Sequence, residues 1–329
     1  VGFNTGGQLR GKSVDIEWER ICEIVDIDIN TADRLFKCFD SQKTVEDIEI
    51  FTGGKRTTNY KIRLKESEQE FVLRIYPEND RSWHKEFKLQ NTLKNYLPVP
   101  EMYYLNEDKL IIDKPFSIVQ FLDGVTLNKH LAGNHRISES LAQKIGEILA
   151  IIHQREFEGL LEENSQTKDG LPLILSWYDY LLNHRAVERL GTGIINKLKI
   201  IIHENNELLG QMAQNFVFSH GDFRPANIMV KDGRLIGIID WEDALSAPDY
   251  FDIGQFTRYK EHLSEKAKDR FISGYNQNTR RPVGKDWEKL SKLMDLVNLL
   301  VFLDNEEEKP KLFSDMRNLV EKTLKILEQ

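Results

Sequence analysis

Ser219-His220-Gly221-Asp222-Phe223-Arg224-Pro225-Ala226-Asn227-Ile228-Met229-Val230, continuing through Lys231-Asp232-Gly233-Arg234 into Leu235-Ile236-Gly237-Ile238-Ile239-Asp240-Trp241, is the stretch on which the fold turns. Asp232-Gly233 lies between two β-rich runs and predicts a tight hairpin. Folding the chain back there brings Asn227 level with Asp240 at the open end of the hairpin. The strands are otherwise apolar, and polar groups at such an end are costly unless they bind something. An amide oxygen and a carboxylate converging there suit a hard cation such as Mg²⁺. Asp222 lies on the loop just before, close to the pair without being forced into a metal shell. A carboxylate to accept a hydroxyl proton and two groups to hold a metal on nucleotide phosphates are what phosphoryl transfer requires. Arg224 adds a fixed positive charge for the migrating phosphoryl group, and His220 supports the turn that carries Asp222. A bland alternative is that His220, Asp222 and Asn227 merely hydrogen-bond a buried turn.

Outward from this island, the two sides of the chain differ. Residues 15–39 read as a helical segment with Ile16, Ile21, Ile24 and Val25 on one face, then a break and a second short run ending near Phe39. From Val45 the pattern alternates as strands: Val45–Phe51, Tyr60–Leu64, Phe71–Tyr76, then Met102–Leu105, Leu110–Ile112 and Phe116–Phe121. A helix over 83–96 interrupts them and stops before Pro98. Beyond Asp123-Gly124 helices dominate. Ser138 caps one with the stripe Leu141, Ile145, Ile148, Leu149 and Ile152; others follow over 173–190 and 193–213, separated from the first by a polar segment at 162–169. Four more run from Tyr250 to the end. His153 and His184 read as ordinary helix residues. The pattern is α+β.

The chain has 329 residues, long for one core, so two domains are expected: 1–120, with the extra helical segment, and 121–329. Its hydrophobic share of 40% can bury a sizeable core, which excludes wholesale disorder. A net charge of −8 argues against nucleic-acid binding, which needs a basic face. No apolar run is long enough to span a bilayer and no leader-like opening is read, so a membrane partner is not expected. Cys22 and Cys38 have no metal or redox spacing, and a reducing cytoplasm is the expected location. Val1 to Gly7 is set aside as end material.

His-Gly-Asp, four residues, Asn, and then Ile-Asp-Trp resembles the catalytic and metal-binding segments of the aminoglycoside phosphotransferase and choline kinase group of small-molecule kinases. Further matches run in order over roughly 51–252. That resemblance implies a two-lobed protein-kinase-like fold, with an N-terminal antiparallel sheet lobe and a mainly helical C-terminal lobe. It implies that Asp222 is the catalytic base and that Asn227 and Asp240 bind Mg²⁺. Gly53-Gly54 through Asn59 matches the nucleotide-covering hairpin; Arg74 matches the cation that pairs the phosphates, usually Lys, and Glu86 the acid that clamps it. Leu97-Pro98-Val99-Pro100 resembles the segment that follows. Gln120, Phe121 and Leu122 match the hinge whose backbone holds a nucleobase. Asp252 matches an acid that supports the catalytic loop.

The implied cofactors are ATP or GTP with Mg²⁺, and the partners a nucleoside triphosphate and a small hydroxyl acceptor. An aminoglycoside-like antibiotic is favoured over choline, homoserine or another metabolite, with the role, resistance or metabolism, left open. Trp177, Tyr178, Asp179, Glu242, Asp243 and Tyr259 are the acceptor candidates, an acidic or aromatic pocket suiting a cationic molecule; helix packing is the plainer explanation of the first three. A protein kinase is disfavoured because Asp240-Trp241 replaces Asp-Phe-Gly and no room is left for an activation loop. A non-catalytic nucleotide-binding protein would keep the fold and lose the chemistry.

Overall fold

The structure is a computed structural model that describes residues 18–77, 82–132, 136–154, 170–213 and 216–328. Ile16, the 162–169 segment and Val1 to Gly7 lie outside them.

Strand β1 (Val45–Phe51), β2 (Thr58–Leu64), β3 (Glu70–Ile75), β4 (Met102–Asn106) and β5 (Phe116–Gln120) form one antiparallel sheet in the order β1-β2-β3-β5-β4. Alternation decides its faces: Tyr60, Ile62 and Leu64 of β2 are buried, as are Phe71, Leu73 and Ile75 of β3. Helix α1 (Ile29–Lys37) closes that core with Ala32, Leu35 and Phe36, its first turn capped by Asp28, which accepts from Thr31 N at 2.7 Å. Helix α2 (Ser82–Leu93) follows β3, and its Leu89 and Leu93 join the core of the helical part instead.

The first part of the helical segment expected over 15–39 is corrected, while its second run is α1. Residues 18–28 are not helical, and Ile21 and Ile24, expected on an apolar face, are 44% and 47% exposed. Their backbone N–H groups bond elsewhere: Ile21 N donates to Lys55 O at 2.8 Å and Val25 N to Thr58 Oγ1 at 3.1 Å. The strand expected at Leu110–Ile112 is also absent; Leu110 is exposed, while Ile111 and Ile112 lean on the sheet core.

The remaining elements build the helical part. Strand β6 (Val125–Thr126) leads into α3 (Leu127–Ala132) and α4 (Glu139–His153), the latter capped by Ser138 as expected. The two helices expected over 173–190 and 193–213 divide into α5 (Gly170–Leu181), α6 (Ala186–Leu190), α7 (Thr192–Glu204) and α8 (Asn206–Met212). Then come β7 (Phe216–Ser219), β8 (Ile228–Lys231), β9 (Arg234–Ile238), β10 (Leu245–Pro248), α9 (Tyr250–Phe256), α10 (Glu265–Asn278), α11 (Trp287–Leu303) and α12 (Pro310–Leu327). The strand island is two small sheets, β6-β8-β9 and β10-β7, because β6 and β10, not expected from sequence, each supply a partner. The hairpin at Asp232-Gly233 forms as expected, with φ of 50° and 72° at the turn residues. No helix among the described residues is long and apolar enough to cross a membrane.

Candidate active site

The candidate catalytic loop runs from the end of β7 to the start of β8. Gly221 has φ 86°, and a Cβ there would lie 2.0 Å from Asp243 O, so only glycine fits. Asp252, at the start of α9 and fully buried, accepts from His220 N at 2.8 Å and from Gly221 N at 3.0 Å. His220 has its ring against Trp241, centroids 4.5 Å apart; Nε2 faces Ile239 O at 3.0 Å and Nδ1 accepts from Asp222 N at 3.3 Å. Burial lowers the His220 pKa even against Asp252, Asp222 and Asp240, and the two contacts fit a neutral ring protonated on Nε2. His220 is a strut of the loop.

Asp222 is held at both oxygens. Oδ1 accepts from Arg224 Nε at 2.6 Å and Oδ2 from Asn227 Nδ2 at 2.7 Å. Burial would raise its pKa, but the Arg224 charge and hydrogen bond outweigh it and the carboxyl is held below its ordinary value. With its amide nitrogen on Asp222, Asn227 has its oxygen on the opposite side. Ile239 N donates to Asn227 O at 3.0 Å, so Asp240 is one position beyond the level expected for it, the register of β8 and β9 shifting between Met229 and Val230. Asp240 adopts φ 71°, a conformation sparse for a non-glycine residue.

Arg74 stands on β3 between Asn59 of β2 and Ser117 of β5. Its Nη1 lies 3.4 Å from Glu86 Oε1, and its Nη2 donates to Asp240 Oδ1 at 2.8 Å. Glu242 Oε2 is 3.8 Å from the same nitrogen. Glu86, fully buried on α2, also accepts from Tyr76 OH and Gln90 Nε2. Desolvation would lower the Arg74 pKa, but Glu86 and Asp240 more than reverse this and the guanidinium stays charged. The fork meets the two acids with two separate nitrogens, where a lysine would offer one. Arg74 Nε is buried without a hydrogen-bond partner among the described residues.

The turn between β1 and β2 contains Gly53 and Gly54. A Cβ on Gly54 would meet Thr57 O at 2.9 Å and Asn59 Nδ2 at 3.2 Å, so Asn59 packs on that turn. Gln120 ends β5 and exchanges bonds with Glu101, whose O accepts Gln120 N at 2.8 Å. Phe121 stacks on Phe51 at the end of β1, centroids 6.3 Å apart, and Leu122 packs on Gly237 of β9. The glycine turn and the hinge segment are thereby neighbours across the sheet edge.

The acceptor candidates separate. Glu242 and Asp243 are brought to the site. Glu242 is buried 3.5 Å from Arg56, and burial, with Asp240 nearby, pushes its pKa up to about 8. Asp243 is exposed, beside the Gly221 backbone. Trp177, Tyr178 and Asp179 of α5 are not brought there. Tyr178 is buried with its hydroxyl on Leu293 O, Trp177 packs on the helical core, and Asp179 accepts from Asn183 Nδ2 at 3.0 Å. Tyr259 is buried too, its hydroxyl donating to Asp315 Oδ2 at 3.1 Å.

Two loop supports escaped the sequence. His153, expected to be an ordinary helix residue, has Nε2 3.1 Å from Asp252 Oδ2 and Nδ1 2.8 Å from Tyr275 OH. A histidine on the apolar face of α4 had to find polar partners, which was a usable signal. Gln255 accepts from Phe223 N and donates to Gly221 O, both at 2.6 Å. It stands three residues after Asp252 on the same helix, hence on the same face.

Asn227 and Asp240 are hard oxygen donors, and among the described residues no cluster of three or more His, Cys, Asp or Glu could hold a metal alone. Two protein ligands with the rest from water and phosphate is how Mg²⁺ is commonly held. The donor set fits.

Residues 47–293 match the family described as "Phosphotransferase enzyme family". Among solved structures, the macrolide 2'-phosphotransferase MphH of Brachybacterium faecium is similar at 14% identity, covering 90% of this chain and 97% of that one, with a TM-score of 0.65. Aminoglycoside phosphotransferase APH(4)-Ia, in ternary complex with ADP and hygromycin B, is 13% identical over 90% and 98% of the chains, TM-score 0.59. An ethanolamine kinase of Plasmodium vivax is 16% identical over 87% and 82%, TM-score 0.56. Among curated proteins, acyl-CoA dehydrogenase family member 10 of Mus musculus is 24% identical over 206 residues, 58% of this chain but only 18% of that protein's length.

Proposed function

Because the chain belongs to the phosphotransferase enzyme family, we propose that it transfers the γ-phosphate of ATP or GTP to a hydroxyl of a small cationic acceptor. The convergence of Asp222, Asn227, Asp240 and Arg74 carries this reading: Asn227 touches Asp222 and Arg74 touches Asp240, joining the two parts of the chain at one point. Asp222, ionised at neutral pH, accepts the hydroxyl proton through an oxygen of its carboxylate. Arg224, on the same carboxylate, places positive charge where the phosphoryl group passes. Arg74 holds the nucleotide phosphates, its unpartnered Nε being a donor for a phosphate oxygen. Asn227 and Asp240 would hold Mg²⁺, which supplies charge neutralisation at the phosphates. The turn at Gly53-Gly54 covers the nucleotide, and Gln120 to Leu122 flank its base.

Asp243, an exposed residue whose backbone O lies beside Gly221 and whose carboxyl is pushed up to about 6 by burial and by Asp222, supports with Glu242 an amine-bearing acceptor of the aminoglycoside kind. Burial and Asp240 raise the Glu242 pKa even with Arg74 and Arg56 facing it, and an added ammonium would draw it further to the charged form. We propose that the nucleotide part and the acceptor part divide at 120/121.

A panel of aminoglycosides, macrolides, choline and amino alcohols, with nucleotide consumption coupled to a detector, tests this directly. Turnover with an amine-bearing alcohol is the expected result. Mg²⁺-independent nucleotide binding and no turnover across the panel would refute it.

A further inference from the structure

Segment 18–25, expected to be helical, runs instead between the glycine turn, the catalytic loop and α12. The Trp18 ring is 7% exposed. It packs on Phe302 with centroids 5.5 Å apart, donates from Nε1 to Asp315 Oδ2 at 3.3 Å, and lies under the Arg224 guanidinium, 5.0 Å from ring centroid to Cζ. Glu19 accepts from Lys311 N at 2.9 Å and Leu312 N at 3.3 Å in the first turn of α12, and Lys309 Nζ donates to Arg20 O at 3.1 Å. Arg20 then turns the other way. Its guanidinium donates to Gly54 O and to Thr57 O, the latter at 3.1 Å, while Lys55 Nζ returns to Trp18 O.

We propose that Arg20 and Trp18 are positioning residues for phosphoryl transfer, Arg20 setting the glycine turn and Trp18 setting Arg224. The proposal rests on the functional reading above. Drawing the carbonyls of Gly54 and Thr57 onto one cation turns neighbouring N–H groups to the other side, and successive N–H groups so arranged make an anion site. The Arg224 guanidinium is bounded by Asp222 on its Nε and by the indole on its face, so the pair of contacts fixes its plane. Glu19, between the two residues in sequence, anchors both on α12. One short segment thus sets the nucleotide side and the transfer side of the same reaction path.

Steady-state kinetics of Mg·ATP consumption, with water alone and with the hydroxyl panel, test the two roles separately in the full chain. Arg20→Ala raises the KM for Mg·ATP about tenfold and leaves kcat within about twofold, as loss of binding that is equal in ground and transition states does. Arg20→Lys, which reaches one carbonyl and not two, falls between. Trp18→Ala lowers kcat about tenfold at nearly unchanged nucleotide KM, a modest result for a group displaced from its reacting position. Trp18→Phe, which keeps an aromatic face, restores most of it. Thermal unfolding of each variant without nucleotide separates these effects from lost folded protein. The proposal fails if an active wild type is matched in both constants by the Ala variants. It also fails if activity falls only in step with the folded fraction. A wild type that neither binds nor consumes Mg·ATP overturns the functional reading itself, and this proposal with it.

Discussion

Asp222 is caught between two donors, Arg224 and Asn227, and that contact pair sets its chemistry. A carboxylate held below its ordinary pKa stays ionised through the neutral range, so in the base role proposed for it Asp222 would accept a proton late, once the hydroxyl oxygen has begun to bond phosphorus. Asp222→Ala is expected to lower turnover by about 10²–10⁴-fold while nucleotide-dependent thermal stabilisation persists; near-normal turnover would remove Asp222 from its role. Arg74 answers to the same kind of reasoning. With its partner Glu86 fully buried, Arg74→Ala strands an acid, a change that typically costs about 3–5 kcal/mol. Urea unfolding should show that loss, and Arg74→Lys, able to face Glu86 or Asp240 but not both, should show less of it together with weaker nucleotide binding.

At the scale of elements, α9 and the crossing of α4 with α10 hold the catalytic loop. Gly146 of α4 and Gly274 of α10 let the helices touch: a Cβ at Gly146 would sit 2.0 Å from Phe271 O, and one at Gly274 2.2 Å from Gln143 O. Gly146→Ala must push the helices apart and should destabilise the protein by roughly 1–3 kcal/mol or more. Because α4 ends in His153, which contacts Asp252, turnover should fall by more than the folded fraction does. Helix α9 begins after Asp249, which is buried and accepts from Tyr250 N at 2.9 Å. Burial pushes its pKa up to about 6, so its folded form prefers the proton. The stability this group contributes is complete below its unfolded pKa and is lost as pH rises through about 6. A rise of about two units corresponds to roughly 3 kcal/mol as an upper bound. Asp249→Asn should therefore raise the melting temperature at pH 8 and not at pH 4; an equal gain at both values would point to packing instead of charge.

Across the whole molecule, the net charge of −8 is the wrong sign for a protein that binds polyphosphate. Local charge reverses it: Arg74, Arg224 and a metal on Asn227 and Asp240 would face the phosphates. Chelation should accordingly abolish turnover, with Mg²⁺ restoring it, and Asn227→Ala or Asp240→Ala should raise the Mg²⁺ concentration needed. In thermal scans, nucleotide at about 100 times its Kd should stabilise the protein by about 2.7 kcal/mol, and only with metal present. Stabilisation that ignores chelation would break the metal assignment.

What was legible in the sequence was local or periodic. Alternation gave every strand of the main sheet except the false one at 110–112, Asp232-Gly233 gave the hairpin, and the hairpin alone set Asn227 beside Asp240. The residues 18–28 misled because apolar spacing reports a face without saying whether neighbouring carbonyls will compete for the backbone N–H groups; here Lys55 did. Tyr259 misled because an aromatic with a hydroxyl suits a pocket and a core equally, and only packing assigns the hydroxyl its partner; for Tyr178 the plainer packing explanation holds. The sequence by itself determined the strands of the main sheet and the hairpin at Asp232-Gly233, since turn chemistry and side-chain period act over a few residues. Only the tertiary structure decided that Arg74 spans Glu86 and Asp240, that His153 and Gln255 brace the loop, and that Trp18 reaches Arg224. Those contacts join residues far apart in the chain, and they form only where the packing of two cores brings the groups within hydrogen-bonding distance.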